Sequence, residues 1–517
     1  MANVAFAAVL LAVGNLASRA LGLVREQVIA ALFGASTGTD AFVVASSVPQ
    51  VVYDLLIGGA VSAALVPTFV RTLDREAALR GLVRSLLTLA LLALVVVGAV
   101  LALASPLLVD ALAPGFGEEQ RQMAITMVRL MLLAVVLQGL AGVVSAVLFA
   151  RRRFGLAAFS AAVYNLGIIV GALALHERLG IFALVAGVLA GAAGQLAIQV
   201  PRAGIGPWPF TAHWWHPELP ALVWLYLPVA AGIVVSIIGV VIDRNLASRL
   251  PEGSLSVMNY ATRVIQFPIG LVATALSMAV LPELSQQAHG REQSTSVDGD
   301  HDGFRDTLTQ GVRIALLLML PAALISAALR EPLLRVLYER GQFVSGDTSR
   351  TALAFLAYAP QLPFVAIDQL LIAAYYARRD TRTPVLVGVV CVGLYVVVAL
   401  SVVQPLGVPG LALANTVQNS AHGVILWILL QRSGWGVRSE ELRWFVPRVS
   451  LAAAVSAAVA ALVSNADVLP QVEVVLLGAA FLAGALCYVG ALEGLGIRDV
   501  RVLALGVLRR AGAATTV

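Results

Sequence analysis

The chain has 517 residues, of which 60% are apolar and only 12% are charged, and its mean hydropathy is +0.91. Soluble proteins carry about twice that charged fraction, so the composition excludes an assembly of soluble domains. All 34 basic residues are arginine, and we assign the net charge of +5 to loops at a membrane surface instead of to nucleic-acid binding. Cys391 and Cys487 lie in apolar runs and indicate neither a disulfide framework nor a metal site.

Apolar runs long enough to cross a bilayer recur along the whole chain. Because backbone polar groups in lipid must bond within the run, we predict about fourteen transmembrane helices. They begin near Phe6, Asp40, Leu82, Ala124, Ala157, Ile181, Ala221, Val257, Thr309, Thr351, Pro384, Val408, Phe445 and Glu473. The polar stretch from Ser285 to Asp306 is predicted to be a flexible linker.

Arginine placement predicts the orientation. Arginine-rich segments follow the second, fourth, tenth and twelfth runs, at 71–84, 151–153, 378–382 and 432–443, and another closes the chain at 498–510. Basic loops stay in the cytoplasm, so both termini are predicted to be cytoplasmic. The connection from Arg330 to Arg350 is the exception, and we expect it to be partly structured and paired with Glu331, Glu339 and Asp347.

The two halves of the chain repeat. Arg25, Gly34, Asp40 and Pro49 recur 219 residues later as Arg244, Gly253, Asn259 and Pro268, and FARRRF at Phe149 recurs 227 residues later as YARRDT. Each copy holds six runs, an even number, so the copies share one orientation. The prediction is an all-α polytopic membrane protein with two parallel six-helix lobes around a central cavity. The lobes comprise residues 1–203 and 204–432, and residues 433–517 add two helices and a cytoplasmic tail.

Charges at membrane depth mark candidate sites, because each costs several kcal/mol unless it is paired or faces water. Arg19, Arg25 and Arg263 are drawn from both repeats, and guanidinium groups bind phosphate oxygens in a bidentate manner. Internal salt bridges, such as Arg19 with Asp54 or Asp243 with Arg244, explain these charges equally well. Arg129 and Asp368 are expected to make structural pairs only.

Enzyme and metal signatures are missing from the sequence. It has no H-E-x-x-H, no paired cysteine sets and no G-x-S-x-G elbow, and the outer loops are short. His213 and His216 flank two tryptophans, a pattern more typical of an interfacial anchor than of a metal site. We therefore expect a transporter with no catalytic residues, no cofactor and no metal.

Short strings spread over most of the chain carry a family resemblance. They are SRALGLVRE from Ser18, FGASTGTDAF from Phe33, LAPGF from Leu112, ARRRF from Ala150, YATRVIQFPIG from Tyr260, VLPELS from Val280 and YYARRDTRTPV from Tyr375. Together, and in this order, they resemble the MviN/MurJ lipid II flippase family, within the superfamily of multidrug, oligosaccharidyl-lipid and polysaccharide exporters.

The resemblance implies a fold and an activity. It implies about fourteen helices, a cationic cavity, and alternating access that carries an undecaprenyl-pyrophosphate-linked peptidoglycan precursor from the inner to the outer leaflet of the bacterial cytoplasmic membrane. Arg19, Arg25, Arg263 and Asp40 match the family's substrate-binding residues. The last two helices match a groove for the lipid tail, and cell-wall synthesis proteins are the expected protein partners.

Two departures from the family pattern concern the site. Tyr53 and Asp54 stand where members often carry an arginine. Asp243 matches the acid that some members use for sodium and is the candidate ligand for a coupling ion. The eleventh run offers only Cys391, Tyr395 and Ser401 beside it, so little sodium dependence is expected. Two alternatives stay open: an exporter of another polyprenyl-linked glycan or of drugs, and a membrane-embedded glycosyltransferase.

Overall fold

The computed structural model describes residues 2–55, 64–206, 210–212, 217, 220, 237–289, 299–464 and 473–497, and all regular structure among them is helical. The predicted all-α class is therefore confirmed. The run near Ala221, the tryptophan-flanked pair His213 and His216, and the basic segment at the end of the chain lie outside the described residues.

The helices follow one another in the order of the predicted runs. The first half contains α1 (Ala2–Phe33), α2 (Thr37–Tyr53), α3 (Val66–Thr72), α4 (Glu76–Leu103), α5 (Ser105–Leu112), α6 (Glu118–Ala150), α7 (Phe154–Leu179) and α8 (Phe182–Ala203). The second half contains α9 (residues 237–247), α10 (Ser254–Pro268), α11 (Thr274–His289), α12 (Gly299–Ala328), α13 (Arg330–Tyr338), α14 (Ser345–Tyr358), α15 (Gln361–Ala377), α16 (Arg382–Leu406) and α17 (Val408–Arg432). The last two helices are α18 (Ser439–Ser464) and α19 (Glu473–Gly494).

Within the described ranges, nine helices are long and apolar enough to cross a membrane, or ten if α14 and α15 form one span bent by 43°. The chain is therefore a multi-pass membrane protein, while the number fourteen stays a prediction. The linker prediction is wrong at both ends, because α11 continues to His289 and α12 already begins at Gly299. Glycine and serine in that stretch are tolerated in helices that pack against neighbours.

The backbone confirms the sequence repeat. Gly34 and its counterpart Gly253 both have positive φ, at 61° and 80°, and each precedes a helix, α2 or α10. The proline inside each of those two helices is followed by π-helical backbone, at residues 54–55 after Pro49 and at Ile269–Ala273 after Pro268. Proline lacks the amide that would continue the α-helical ladder, and a wider π-helical turn follows the proline in both helices.

The turns at residues 151–153 and 378–380, which we call the arginine elbows, are a second pair of matching backbone segments in the two repeats. Arg152 and Arg379 are the only described non-glycine residues with positive φ, at 58° and 59°. Arg152 N donates to Phe149 O and Arg153 N to Leu148 O; 227 residues later, Arg379 N donates to Tyr376 O and Asp380 N to Tyr375 O. The same left-handed turn therefore ends α6 and α15.

Gly180 and Gly407 form a further pair at the same offset of 227, with φ of 53° and 61° and ψ of −135° and −134°. The sequence comparison had not identified this pair. Each ends one long helix, α7 or α16, immediately before the next. The repeat thus extends to the last helix pair of each copy.

The described residues form two compact units. The first unit holds the residues up to Asn259 together with Tyr338–Asp347, and the second holds Tyr260–Leu337 and the residues from Thr348 onward. The lobe boundaries at 203 and 432 stay a prediction.

Glycines allow very close helix packing in the first unit. A Cβ atom at Gly167 of α7 would lie 2.3 Å from the Cα of Gly191 on α8, and one at Gly171 would lie 2.4 Å from the Cα of Gly187. This is the small-residue spacing that holds helices together in lipid, where apolar burial supplies little driving force. In the second unit, α18 and α19 pack on each other and on α12 through Ile325, Ala457, Ala460 and Ala480.

Candidate functional site

Asp40 is a buried carboxylate that binds the start of α10. Its side chain lies in the first turn of α2 and is only 4% exposed. Oδ2 accepts a hydrogen bond from Gly253 N at 2.8 Å, and Oδ1 accepts from Ser256 N at 2.7 Å and from Ser256 Oγ at 2.5 Å. The first amides of a helix lack intrahelical partners and carry partial positive charge, so a carboxylate suits them.

The turn between α1 and α2, next to Asp40, also packs closely against other segments of the chain. A Cβ atom at Gly253 would lie 2.5 Å from Ala35 O, and one at Gly341 would lie 2.2 Å from Ala31 O. Gln342 N donates to that Ala31 carbonyl at 2.9 Å. Thr37 N donates to Glu252 Oε1 at 3.0 Å. The α1–α2 turn is therefore held against the segment before α10 and against residues 341–342.

Arg25 lies in a second polar cluster, on α1. NH2 of Arg25 contacts Glu26 Oε1 at 2.5 Å, and NH1 donates to Asn165 Oδ1 of α7 at 3.0 Å. The other oxygen of Glu26, Oε2, accepts from Asn259 Nδ2 of α10 at 3.3 Å. Asn259 is the repeat counterpart of Asp40. The carboxylates of Glu26 on α1 and Asp40 on α2 therefore both bind residues in the first two turns of α10.

Arg19 and Arg263 are placed differently. Both side chains are exposed, Arg19 on α1 and Arg263 on α10. Arg19 is six residues from Arg25, about 240° around the helix, which explains why Arg25 is held against α7 while Arg19 is not. Ser256, Asn259 and Arg263 recur at helical spacing along α10. Substrate contact by Arg19, Arg25, Arg263 and Asp40 stays a prediction.

The candidate ion ligand Asp243 is half-buried on α9. Cys391 and Tyr395 are buried on α16, and Ser401 Oγ donates to Val397 O of its own helix at 2.7 Å. Within the described part of the chain, no three His, Cys, Asp or Glu side chains are grouped to hold a metal ion.

Arg129 and Asp368 both have hydrogen-bond partners, while the prediction that these pairs are purely structural stays a prediction. Arg129 Nε donates to Ser105 Oγ at 2.9 Å and to Ala102 O at 3.2 Å, at the break between α4 and α5. Asp368 pairs with His422 on α17. Asn165, Ser256 and His422 were missed, because a single polar residue in an apolar helix does not indicate its partner on another helix.

Asp380 lies two residues before the start of α16, at the second arginine elbow. Its carboxylate accepts from Arg382 N at 3.1 Å, from Thr383 N at 3.0 Å and from Thr383 Oγ1 at 2.6 Å. Burial alone raises the pKa of Asp380, but the hydrogen bonds from Thr383 and Arg382 and the charge of Arg378 outweigh it, so the pKa lies below its usual range.

Comparison with known proteins assigns the family. The family model described as "Lipid II flippase MurJ" matches residues 29–475. The chain is 32% identical to "Lipid II flippase MurJ" of Burkholderia cenocepacia over 85% of this chain and 86% of that protein. It is 30% identical to "Probable lipid II flippase MurJ" of Vibrio cholerae over 85% of each chain.

Solved structures agree on the fold. The structure titled "Lipid II flippase MurJ, inward closed conformation" superimposes with a TM-score of 0.80, at 23% identity, over 95% of this chain and 99% of that chain. An inward-facing MATE multidrug resistance transporter of the MOP superfamily gives a TM-score of 0.69 at 13% identity, over 81% and 94% of the two chains. The model match and the curated relatives together establish that this chain belongs to the lipid II flippase MurJ family.

Proposed function

We propose that this protein moves lipid II from the inner to the outer leaflet of the bacterial cytoplasmic membrane by alternating access. Relatives that align over most of the chain are named lipid II flippases. The protein then acts as a transporter that leaves its substrate chemically unchanged. Both termini lie in the cytoplasm, and the enzymes that make and consume the precursor are the expected protein partners.

The observation that carries the proposal is the buried contact of Asp40 with α10. Three donors converge on one carboxylate that water hardly reaches. Hydrogen bonds to a charged group contribute about 1.5–3 kcal/mol each, so we expect this contact to stabilise one closed state of the carrier. A carrier needs such a state on each side of the membrane, and substrate and ions shift the population between the two.

Arginines supply the chemistry for the substrate. The diphosphate of lipid II carries negative charge, and guanidinium forks bind phosphate oxygens through two parallel hydrogen bonds. Arg25 uses NH1 and NH2 for Asn165 and Glu26, and its Nε has no partner among the described residues. We expect the diphosphate to replace the carboxylate of Glu26 on Arg25, with Arg19 and Arg263 binding its remaining oxygens.

Complementation tests the proposal. A bacterium depleted of its own lipid II flippase should survive when it expresses this chain and should die when it expresses the Arg25→Ala variant at equal membrane abundance. Failure of the wild-type chain to rescue growth, with normal membrane insertion, would contradict it. Appearance of a new glycosidic product in purified reactions would instead support the glycosyltransferase alternative.

A further inference from the structure

A carboxylate–imidazole pair lies inside the second compact unit and has no role in the function proposed above. Nδ1 of His422 on α17 lies 2.6 Å from Oδ1 of Asp368 on α15, and the two side chains are only 14% and 17% exposed. Nε2 of His422 lies 3.1 Å from the carbonyl oxygen of Pro384, in the first turn of α16. One imidazole ring therefore joins three helices.

The geometry selects the protonated ring. Both ring nitrogens face oxygen acceptors, and a neutral imidazole has only one N–H to donate. With Asp368 ionised, only the doubly protonated ring satisfies both contacts, and its positive charge then cancels the negative charge of Asp368. Loss of one proton leaves a net negative charge inside a helix bundle, which is costly unless the helices rearrange or water enters.

The pair lies in a row of neutral contacts between α15 and α17 and the end of α14. The others are Thr416 Oγ1 to Ala357 O at 2.7 Å, Asn419 Nδ2 to Gln361 Oε1 at 2.5 Å, and Tyr375 Oη to Leu426 O at 3.2 Å. Residues 416, 419, 422 and 426 follow helical spacing, so they share the face of α17 that meets α15. Amides and hydroxyls already hold this interface, and an ionisable pair costs desolvation that a neutral pair avoids. Helix packing alone therefore does not require it.

Other titratable groups on the helices packed around the pair are accounted for. The Cys391 thiol of α16 interacts electrostatically with Asp368, and Tyr395 lies one turn further along the same helix. Glu283 of α11 is exposed. On α12, Asp302 and Asp306 pair with Arg438, Arg305 donates to Gly436 O, and Arg313 pairs with Glu441. Asp368 is the charged partner that the structure gives His422.

Building on the proposed function, we infer that Asp368 and His422 form a proton-binding site of the transport cycle. One proton from water binds Nε2 of His422 and restores the contact with Pro384 O; its return to water breaks that contact. The protonated state holds α15, α16 and α17 together, and the deprotonated state loosens them. We therefore expect transport to depend on pH through this pair.

Nitrogen-15 NMR of the full-length protein in lipid nanodiscs tests the site without any transport assay. The chain has six histidines, and the signal lost in His422→Gln assigns the ring. At about pH 7 the His422 ring should carry two protons in the wild type and one in Asp368→Asn. A singly protonated ring in the wild type would overturn the inference, whatever the substrate proves to be.

A lipid II transport assay is the second test of the inference. The rate of lipid II flipping should depend on pH in the wild type, and His422→Gln should reduce that dependence at least threefold. His176→Gln is the matched control, because His176 contacts Leu173 O on its own helix. A pH profile unchanged in His422→Gln would make the pair purely structural and contradict the inference. Absence of flipping in the wild type, with the NMR result intact, would count against the proposed function alone.

Discussion

Asp40 and Ser256 are joined by two hydrogen bonds to the same carboxylate oxygen, one from the Ser256 amide at 2.7 Å and one from its hydroxyl at 2.5 Å. The residues are 216 positions apart and belong to different copies of the repeat. The contact therefore fixes α2 of the first copy to α10 of the second.

Removal of the Ser256 hydroxyl should loosen this contact. Ser256→Ala removes one of the two bonds, with an expected loss of about 1.5–3 kcal/mol because the acceptor is charged. A cysteine introduced at Ala35, in a chain whose native cysteines are replaced by serine, should then react faster with a water-soluble maleimide. Ser46→Ala is the matched control on α2, because the Ser46 hydroxyl donates to Val43 O of its own helix. Equal labelling rates in the two variants would contradict the role of Ser256.

The backbone at Gly253 should not tolerate a side chain. Its φ of 80° is unfavourable for alanine, and the added Cβ would lie 2.5 Å from Ala35 O. Gly253→Ala should lower the thermal stability of the purified protein and abolish complementation, with a cost of at least about 1–2 kcal/mol. Gly239→Ala on α9 is the control, since nothing lies within 4 Å of its added Cβ. A Gly253→Ala protein as stable as Gly239→Ala would show that this segment adapts.

The three arginines should be needed for transport but not for membrane insertion. Alanine at Arg19, Arg25 or Arg263 should abolish complementation, and lysine should rescue poorly because it cannot make the bidentate contact. Arg80→Ala is the control, because Arg80 is exposed and donates to Glu76 O of its own helix. Full activity of all three alanine variants would contradict the diphosphate assignment.

The carboxylate of Asp380 should make a pH-dependent contribution to the free energy of unfolding. Its pKa is lowered in the folded state, so its contribution is present above the ordinary carboxyl pKa of about 3.9 and is lost as the pH falls through the folded value. Asp380→Asn should be less stable than the wild type by about 0.3–1 kcal/mol near neutral pH, and the difference should shrink as the pH falls below the ordinary carboxyl pKa. Thr383→Ala, which keeps the backbone donors, should lose less. A stability difference independent of pH would contradict this account.

Much of the fold follows from the sequence, because hydropathy and the repeat are carried by many residues at once. Gly34, Pro49 and the arginine elbows recur with the same backbone geometry because each serves the same local turn. The candidate site is predicted only in part. Charges in apolar runs identified Arg25 and Asp40, but their contacts with Asn165 and Ser256 depend on how helices pack, which periodicity does not encode.

Energy coupling is expected to depend on membrane potential and little on sodium. Each negative charge of the substrate that moves outward through a potential negative inside gains about 2.3 kcal/mol per 100 mV. Asp243 is half-buried, while Ser401, one of its candidate partners, bonds to its own helix. Exchange of sodium for choline at a potential set by valinomycin should leave transport unchanged. Transport that stops without sodium would restore Asp243 as a coupling-ion ligand.

Lipid II flipping by the purified protein in proteoliposomes tests the central claim most directly. Fluorescent lipid II placed in the inner leaflet should become accessible to a membrane-impermeant quencher at a rate proportional to the amount of protein. Arg25→Ala proteoliposomes should match protein-free vesicles, and the recovered lipid should be chemically unchanged. Accessibility that rises equally with wild-type protein, Arg25→Ala and empty vesicles would contradict the assignment of lipid II as the substrate.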